Sequence, residues 1–134
     1  MEDCVFCKIV AGKIPCEKVY ENEYCLVFLD IKPVNKGHLL IIPKRHYADM
    51  LETPENVVSK IFAKSKVLMK GVKDAMKADY VAVSVVGMDV RHFHVHLIPR
   101  YLNDGMANFW PTKSYEESEF KDVSEKIRKS LEFV

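Results

Sequence analysis

The segment RHFHVHLIPR, residues 91–100, places His92, His94 and His96 in alternation with Phe93, Val95 and Leu97. On an extended strand alternate side chains share a face, and residues two apart sit about 6.5 Å apart along the backbone. Three imidazoles then line one face while three apolar groups bury the other. One histidine on such a face is commonly a hydrogen-bonded core residue. Three in register predict a reactive site, because ionisable groups are rarely buried without a task. Two chemistries fit. Three imidazoles can bind a catalytic zinc. Alternatively, one attacks as a nucleophile while its neighbours supply protons and hydrogen bonds to an anionic group. The spacing leaves both open.

A second group is Cys4-Val5-Phe6-Cys7. A lone pair of cysteines at this spacing is a weak signal. A thioredoxin-type redox motif requires a strand ahead of it, and the residues before Cys4 leave no room for one. As half of a metal site the pair needs two further ligands.

The elements that must position these groups are legible from pattern. Residues 4–11 read as a short helical turn ending near Gly12. KVYENEYCLVFLD reads as two strands, 18–21 and 24–30, joined through Glu21–Glu23. IKPVNKG carries Pro33, Asn35 and Gly37 and predicts a loop. HLLIIP predicts a buried strand over 38–43. TPEN opens a long helix running to about residue 77, with Thr53 as cap, Pro54 at the first helical position and Glu55 on the dipole. Val57, Val58, Ile61, Phe62, Leu68, Val72, Ala75 and Met76 follow at helical spacing. YVAVSVV (80–86) and HFHVHLIP (92–99) predict two more strands. Ser114-x-x-Glu117 resembles a capping box for a last helix. The order β-β-β-α-β-β-α predicts an α+β domain with an antiparallel sheet.

Size and charge bound the rest. The 134 residues predict one domain, 1–134, large enough for its own core. Lys+Arg of 20 against Asp+Glu of 19 leaves a net charge of +1. That balance gives no global field for nucleic acid or an anionic membrane. No apolar run is long enough to span a bilayer and no signal peptide is visible, so a cytoplasmic, reducing setting is expected. Cys4, Cys7, Cys16 and Cys25 are then thiols or metal ligands rather than a disulfide framework.

Four separated blocks resemble one known family in the same order. They are CVFCKIVAGKIP, VYENEYCLVFLDIKPVNKGHLLIIPKRH, HFHVHLIP and the closing IPR, together covering about residues 4–100. The segment is similar to the histidine-triad (HIT) signature His-φ-His-φ-His-φ-φ, with φ apolar. The resemblance implies a five-stranded antiparallel sheet with two helices, joined across a homodimer into one continuous sheet. It implies hydrolysis or transfer at the α-phosphorus of a purine nucleotide or nucleotide conjugate, through a nucleotidyl-histidine. His94 is then the nucleophile, His96 bonds phosphate oxygens or the leaving atom, and His38 is the upstream histidine of the site. Asp30 matches the acid that holds ribose hydroxyls. Val5, Phe6, Ile9, Phe28 and Ile31 match apolar positions around the base. Many bacterial relatives carry a structural zinc, which here falls on Cys4, Cys7, His46 and His92.

The run SVVGMDVRH departs from the family pattern. The usual Asn is missing and Met88 stands where Gln is usual, whereas Gly87 and Val90 fit. Asp89 falls where a serine assists the leaving group in phosphoramidases. A carboxyl can donate there only if protonated, and as an anion it repels phosphate. The altered loop keeps a second reading open, a nucleotide-binding regulatory protein with little catalysis. Trp110 is expected either to reach a partner's site or to pack at a dimer seam.

Overall fold

The computed structural model describes residues 3–107 and 109–131. They fall into two compact units, Met1–Asp104 and Gly105–Val134. The first contains helix α1 (Val5–Val10), strands β1 (Lys18–Glu21), β2 (Cys25–Leu29) and β3 (Leu39–Pro43), helix α2 (Glu55–Met76), and strands β4 (Tyr80–Ser84) and β5 (Val95–Arg100). The strands form one antiparallel sheet in the order β1-β2-β3-β5-β4. The second unit carries helix α3 (Glu119–Leu131), whose Phe120, Ile127 and Leu131 are exposed.

Strands β2 and β3 are apolar at every position because both faces of the sheet are covered there. Cys25, Val27, Leu39, Ile41, Phe93, Val95 and Leu97 form one core with Ile61 and Val72 of α2. Leu26, Phe28, Leu40 and Ile42 point the other way, onto Phe6 of α1. A strand wet on one face reads as an alternation, and one dry on both reads as a continuous run. LLIIP is the second kind, with all five residues buried. The edges are β1 and β4, each paired on one side only.

Several boundaries differ from the sequence expectation, for physical reasons. The strand expected over 92–99 begins at Val95. Ahead of it the backbone serves other partners: the Phe93 N–H donates to the Tyr47 carbonyl at 2.7 Å, and the His92 carbonyl accepts from an imidazole. Its neighbour β4 accordingly stops at Ser84, opposite His96, rather than at 86. Thr53 does not cap α2. Its hydroxyl donates to the Asp49 carbonyl at 2.7 Å, and Pro54 is the N-cap residue with no side-chain bond. The last helix starts at Glu119, later than the box at Ser114 and Glu117 predicts. The Glu119 carboxylate takes the Glu116 N–H at 2.6 Å, which is half of a capping box two residues further on.

Candidate active site

His94 is buried, and its ring state follows from one bond. Nδ1 lies 2.7 Å from the His92 carbonyl oxygen. A carbonyl only accepts, so Nδ1 carries the proton and donates. In the neutral ring the Nε2 lone pair is then free. The Phe6 ring meets the imidazole edge-on at 5.1 Å and restrains its tilt. The result is an oriented imidazole whose Nδ1 is engaged by the backbone and whose Nε2 is left for other partners.

The same accounting fixes the next two rings. The Val34 N–H donates to His38 Nδ1 at 3.0 Å, so the His38 proton sits on Nε2. That nitrogen lies 2.9 Å from His96 Nδ1 and donates to it. His96 therefore presents its own Nε2–H as a donor, 5.0 Å ring to ring from His94. Asp30 Oδ2 stands 3.6 Å from His38 Nε2, while Oδ1 accepts the Lys32 N–H at 2.9 Å. Burial pushes His38 below the ordinary histidine value, with Asp30 opposing. Burial and then the neighbouring His94 and His38 push His96 down. Asp30, His38 and His96 form a close group. The direct imidazole–imidazole hydrogen bond identifies it as a relay rather than a cation cage.

These groups open into a pocket of about 240 Å³ lined by Phe6, Ile9, Phe28, Asp30, Ile31 and Val90 together with His94 and His96. Val5, Asp89 and Leu40 line it too, as do Ile14, Pro15 and Cys16, which the sequence reading did not single out. Ile31 sits at the rim, 91% exposed. The apolar walls come from β2 and β3 on one side and α1 on the other. Phe6 and Phe28 meet edge-to-face at 5.6 Å. An apolar slot ending in a few convergent polar groups is the usual form of a small-molecule site.

Asp89 faces His94, with Oδ1 3.6 Å from His94 Nε2. Desolvation pushes its carboxyl up. Hydrogen bonds from the Val90 N–H and its own N–H, with the nearby imidazoles, outweigh that and hold it below the usual carboxylate range. It is an anion at neutral pH and has no proton to donate.

His92 turns away from the pocket. Its Nε2–H donates to the Pro43 carbonyl at 2.8 Å, which aims the Nδ1 lone pair at the cysteines. Nδ1 lies 3.4 Å from Cys4 Sγ, 3.5 Å from Cys7 Sγ and 3.3 Å from His46 Nδ1, and His46 Nδ1 is 3.3 Å from Cys7 Sγ. A tetrahedral ion with bonds of about 2.0–2.1 Å to nitrogen and about 2.3 Å to sulfur has ligand–ligand edges of roughly 3.3–3.7 Å. The four donors match these edges and can hold a metal ion. Burial, then the adjacent Cys4, pushes the Cys7 thiol up to about 11. A cation would reverse that push. Among the described residues His92, His94 and His96 do not converge on a common point. The first joins the cysteines, the third joins His38 and Asp30, and His94 binds backbone.

A further network holds the relay from behind, and sequence reasoning passed it over. Asp104 accepts from Arg100 Nε at 2.6 Å and from the Asn35 amide at 3.2 Å, and Asn35 also donates to the Pro99 carbonyl at 2.8 Å. This ties the loop ahead of His38 to the end of β5. Asn-x-Gly in the loop and Arg-x₃-Asp after the triad were its only signal. Gly37 has φ of +98°, and a Cβ there would come within 2.7 Å of the Met76 side chain.

An α+β sheet that sets two hydrogen-bonded histidines beside an apolar slot defines the class: a small-molecule site with convergent imidazoles. Residues 11–103 match the HIT domain family. The chain belongs to the histidine-triad family. It is 36% identical to adenosine 5'-monophosphoramidase hnt1 of Schizosaccharomyces pombe, over 96% of this chain and 98% of that protein. It also resembles the crystal structure of SMU.412c from Streptococcus mutans, with 38% identity, a TM-score of 0.89, and 98% of this chain and 87% of that one covered. A zinc-bound histidine triad family protein from Mycobacterium smegmatis is 29% identical, with a TM-score of 0.75 over 98% of this chain and 99% of that one.

Proposed function

We propose that the protein hydrolyses or transfers at the α-phosphorus of a nucleoside monophosphate conjugate, a phosphoramidate foremost, through a nucleotidyl-histidine on His94. The observation that carries this reading is the His94 Nδ1–H bond to the His92 carbonyl, which leaves Nε2 of a pocket-lining imidazole available to a substrate. His94 Nε2 forms a bond to phosphorus as the phosphorus–leaving-group bond breaks. The departing atom keeps the electron pair and takes a proton from water. The hydroxide equivalent then attacks phosphorus, and the pair returns to Nε2. His96 Nε2–H, set by the relay from His38, donates to a phosphoryl oxygen as charge develops there. Asp30 accepts from ribose hydroxyls, and Phe6, Ile9, Phe28, Ile31 and Val90 hold a purine base. The activity named for the fission-yeast relative supports this reading.

Cys4, Cys7, His46 and His92 hold one structural zinc. The donor set is that of a closed tetrahedral site, and the zinc-bound mycobacterial relative supports it. The ion pins α1, and with it Phe6 and Ile9, to the start of the triad segment. Two copies join through their exposed sheet edges, since an unpaired edge invites a second strand. The protein works in the cytoplasm, as one domain over 1–134. Among the described residues no helix is long and apolar enough to cross a membrane.

The test is turnover of an adenosine phosphoramidate by wild type and His94→Ala, with intact-mass analysis of the reaction. Wild type should turn over and carry a transient nucleotidyl adduct. His94→Ala should lose turnover by three or more orders of magnitude and retain nucleotide affinity. The ionised Asp89 beside His94 favours one competing reading, a binding protein with little catalysis, and that reading predicts no turnover by wild type. Retained turnover in His94→Ala refutes the nucleophile assignment.

A further inference from the structure

The carboxylate of Asp89 occupies the space where chemistry must happen. A nucleophile attacks an atom held about 3–3.5 Å away. Asp89 Oδ1 lies 3.6 Å from His94 Nε2, in the volume that an incoming phosphoryl group requires. The Val90 N–H and its own N–H, donors of the kind that otherwise receive an anion, help hold that carboxyl below the usual carboxylate range. Its side chain is 69% exposed, so it can swing out without disturbing the core. Gly87, two residues before it, sits at φ +72° with open space around it. Among the described residues, the acidic groups lining the slot are Asp30 and Asp89, and no lysine or arginine lines it.

We propose that Asp89 is a specificity-determining residue: it fills the phosphoryl seat of the resting site as a built-in anion, and it favours substrates whose leaving group brings a cation to meet it when displaced. The inference rests on reading the site as a phosphoryl-transfer centre for nucleotides. An incoming phosphate must first expel a like charge and recover its hydrogen-bond donors. A bare anionic leaving group meets that charge again at the mouth. A leaving amine that carries an ammonium a few atoms away instead pairs with the displaced carboxylate. Coulomb energy between unit charges about 4 Å apart in a wet pocket corresponds to roughly a five- to several-hundred-fold change in affinity.

The first measurement is calorimetric binding of adenosine and AMP to the zinc-loaded full chain as wild type, Asp89→Asn and Asp89→Ser. Both substitutions should tighten AMP about tenfold or more and leave adenosine within about twofold. The second is competition between two adenosine phosphoramidates, one with a free ammonium on the amine portion and one with a free carboxylate. Wild type should prefer the ammonium substrate by kcat/KM, and Asp89→Asn should lower that preference about tenfold. Unchanged AMP-to-adenosine ratios overturn the inference. So does weaker AMP binding in either variant, or a requirement for millimolar Mg²⁺ that vanishes in Asp89→Asn, because the carboxylate would then be working through a cation shared with phosphate. Failure of both nucleoside and nucleotide to bind any form overturns the nucleotide reading itself, and this inference with it.

Discussion

Acid should unfold this protein through the relay that orients its donor histidine. His38 and His96 are both held below the ordinary histidine value, mainly by burial. Around them stand His94, Asp30 and Asp89, and the carboxylates only partly offset the push. In the unfolded chain each titrates near 6.5. As pH falls through that value the unfolded chain binds protons that the folded chain refuses. Stability is therefore complete above about pH 6.5 and declines below it until the lower folded-state values are reached. Each group adds at most about 1.4 kcal/mol per pH unit in that window, so the pair adds up to about 2.7. His38→Gln removes one titrating group while its amide can still donate toward His96. The assay is the urea midpoint of zinc-loaded wild type and His38→Gln from pH 7.5 to 5. Proton uptake at the metal ligands is common to both proteins and cancels in the comparison. Wild type should lose stability more steeply below pH 6.5, by about 1 kcal/mol per unit. Parallel curves for the two proteins would refute the assignment of a buried, neutral, proton-refusing relay.

Three further outcomes follow from the packing and the donor set. Cys4→Ser should cut bound zinc from one per chain to below a tenth by elemental analysis. It should also lower Tm by about 5–10 °C, corresponding to roughly 2 kcal/mol, because α1 is only six residues long. Asp104→Ala removes a buried carboxylate that accepts from Arg100, Asn35 and the Tyr101 N–H and should cost about 2–3 kcal/mol in denaturant titration, more than an exposed ion pair. Light scattering at micromolar concentration should give twice 15.5 kDa, and a stable monomer would count against the edge-to-edge assembly.

The residues alone determined the class of fold and the segment that carries two of the pocket's histidines. Continuous apolar runs at 25–29 and 39–43, a long amphipathic helix and β-branched residues at 80–84 specify an antiparallel sheet with a helix on one face. They do so because burial on both faces leaves no polar position in a strand. The His-x-His-x-His alternation put His94 and His96 on the side of the sheet opposite Phe93, Val95 and Leu97. The family resemblance assigned the rest of the site to Asp30, His38 and the cysteines. Only the tertiary structure decided how each ring is used, since a tautomer depends on which partner a distant segment supplies. Pro43 aims His92 at the cysteines, Val34 fixes the proton of His38, and His38 then fixes that of His96. The Asp104–Asn35 tie joins residues 69 apart and leaves no local pattern. The reach of Asp89 toward His94 was open in the same way. A loop residue before a strand can face solvent or the site, and the folded turn settles which.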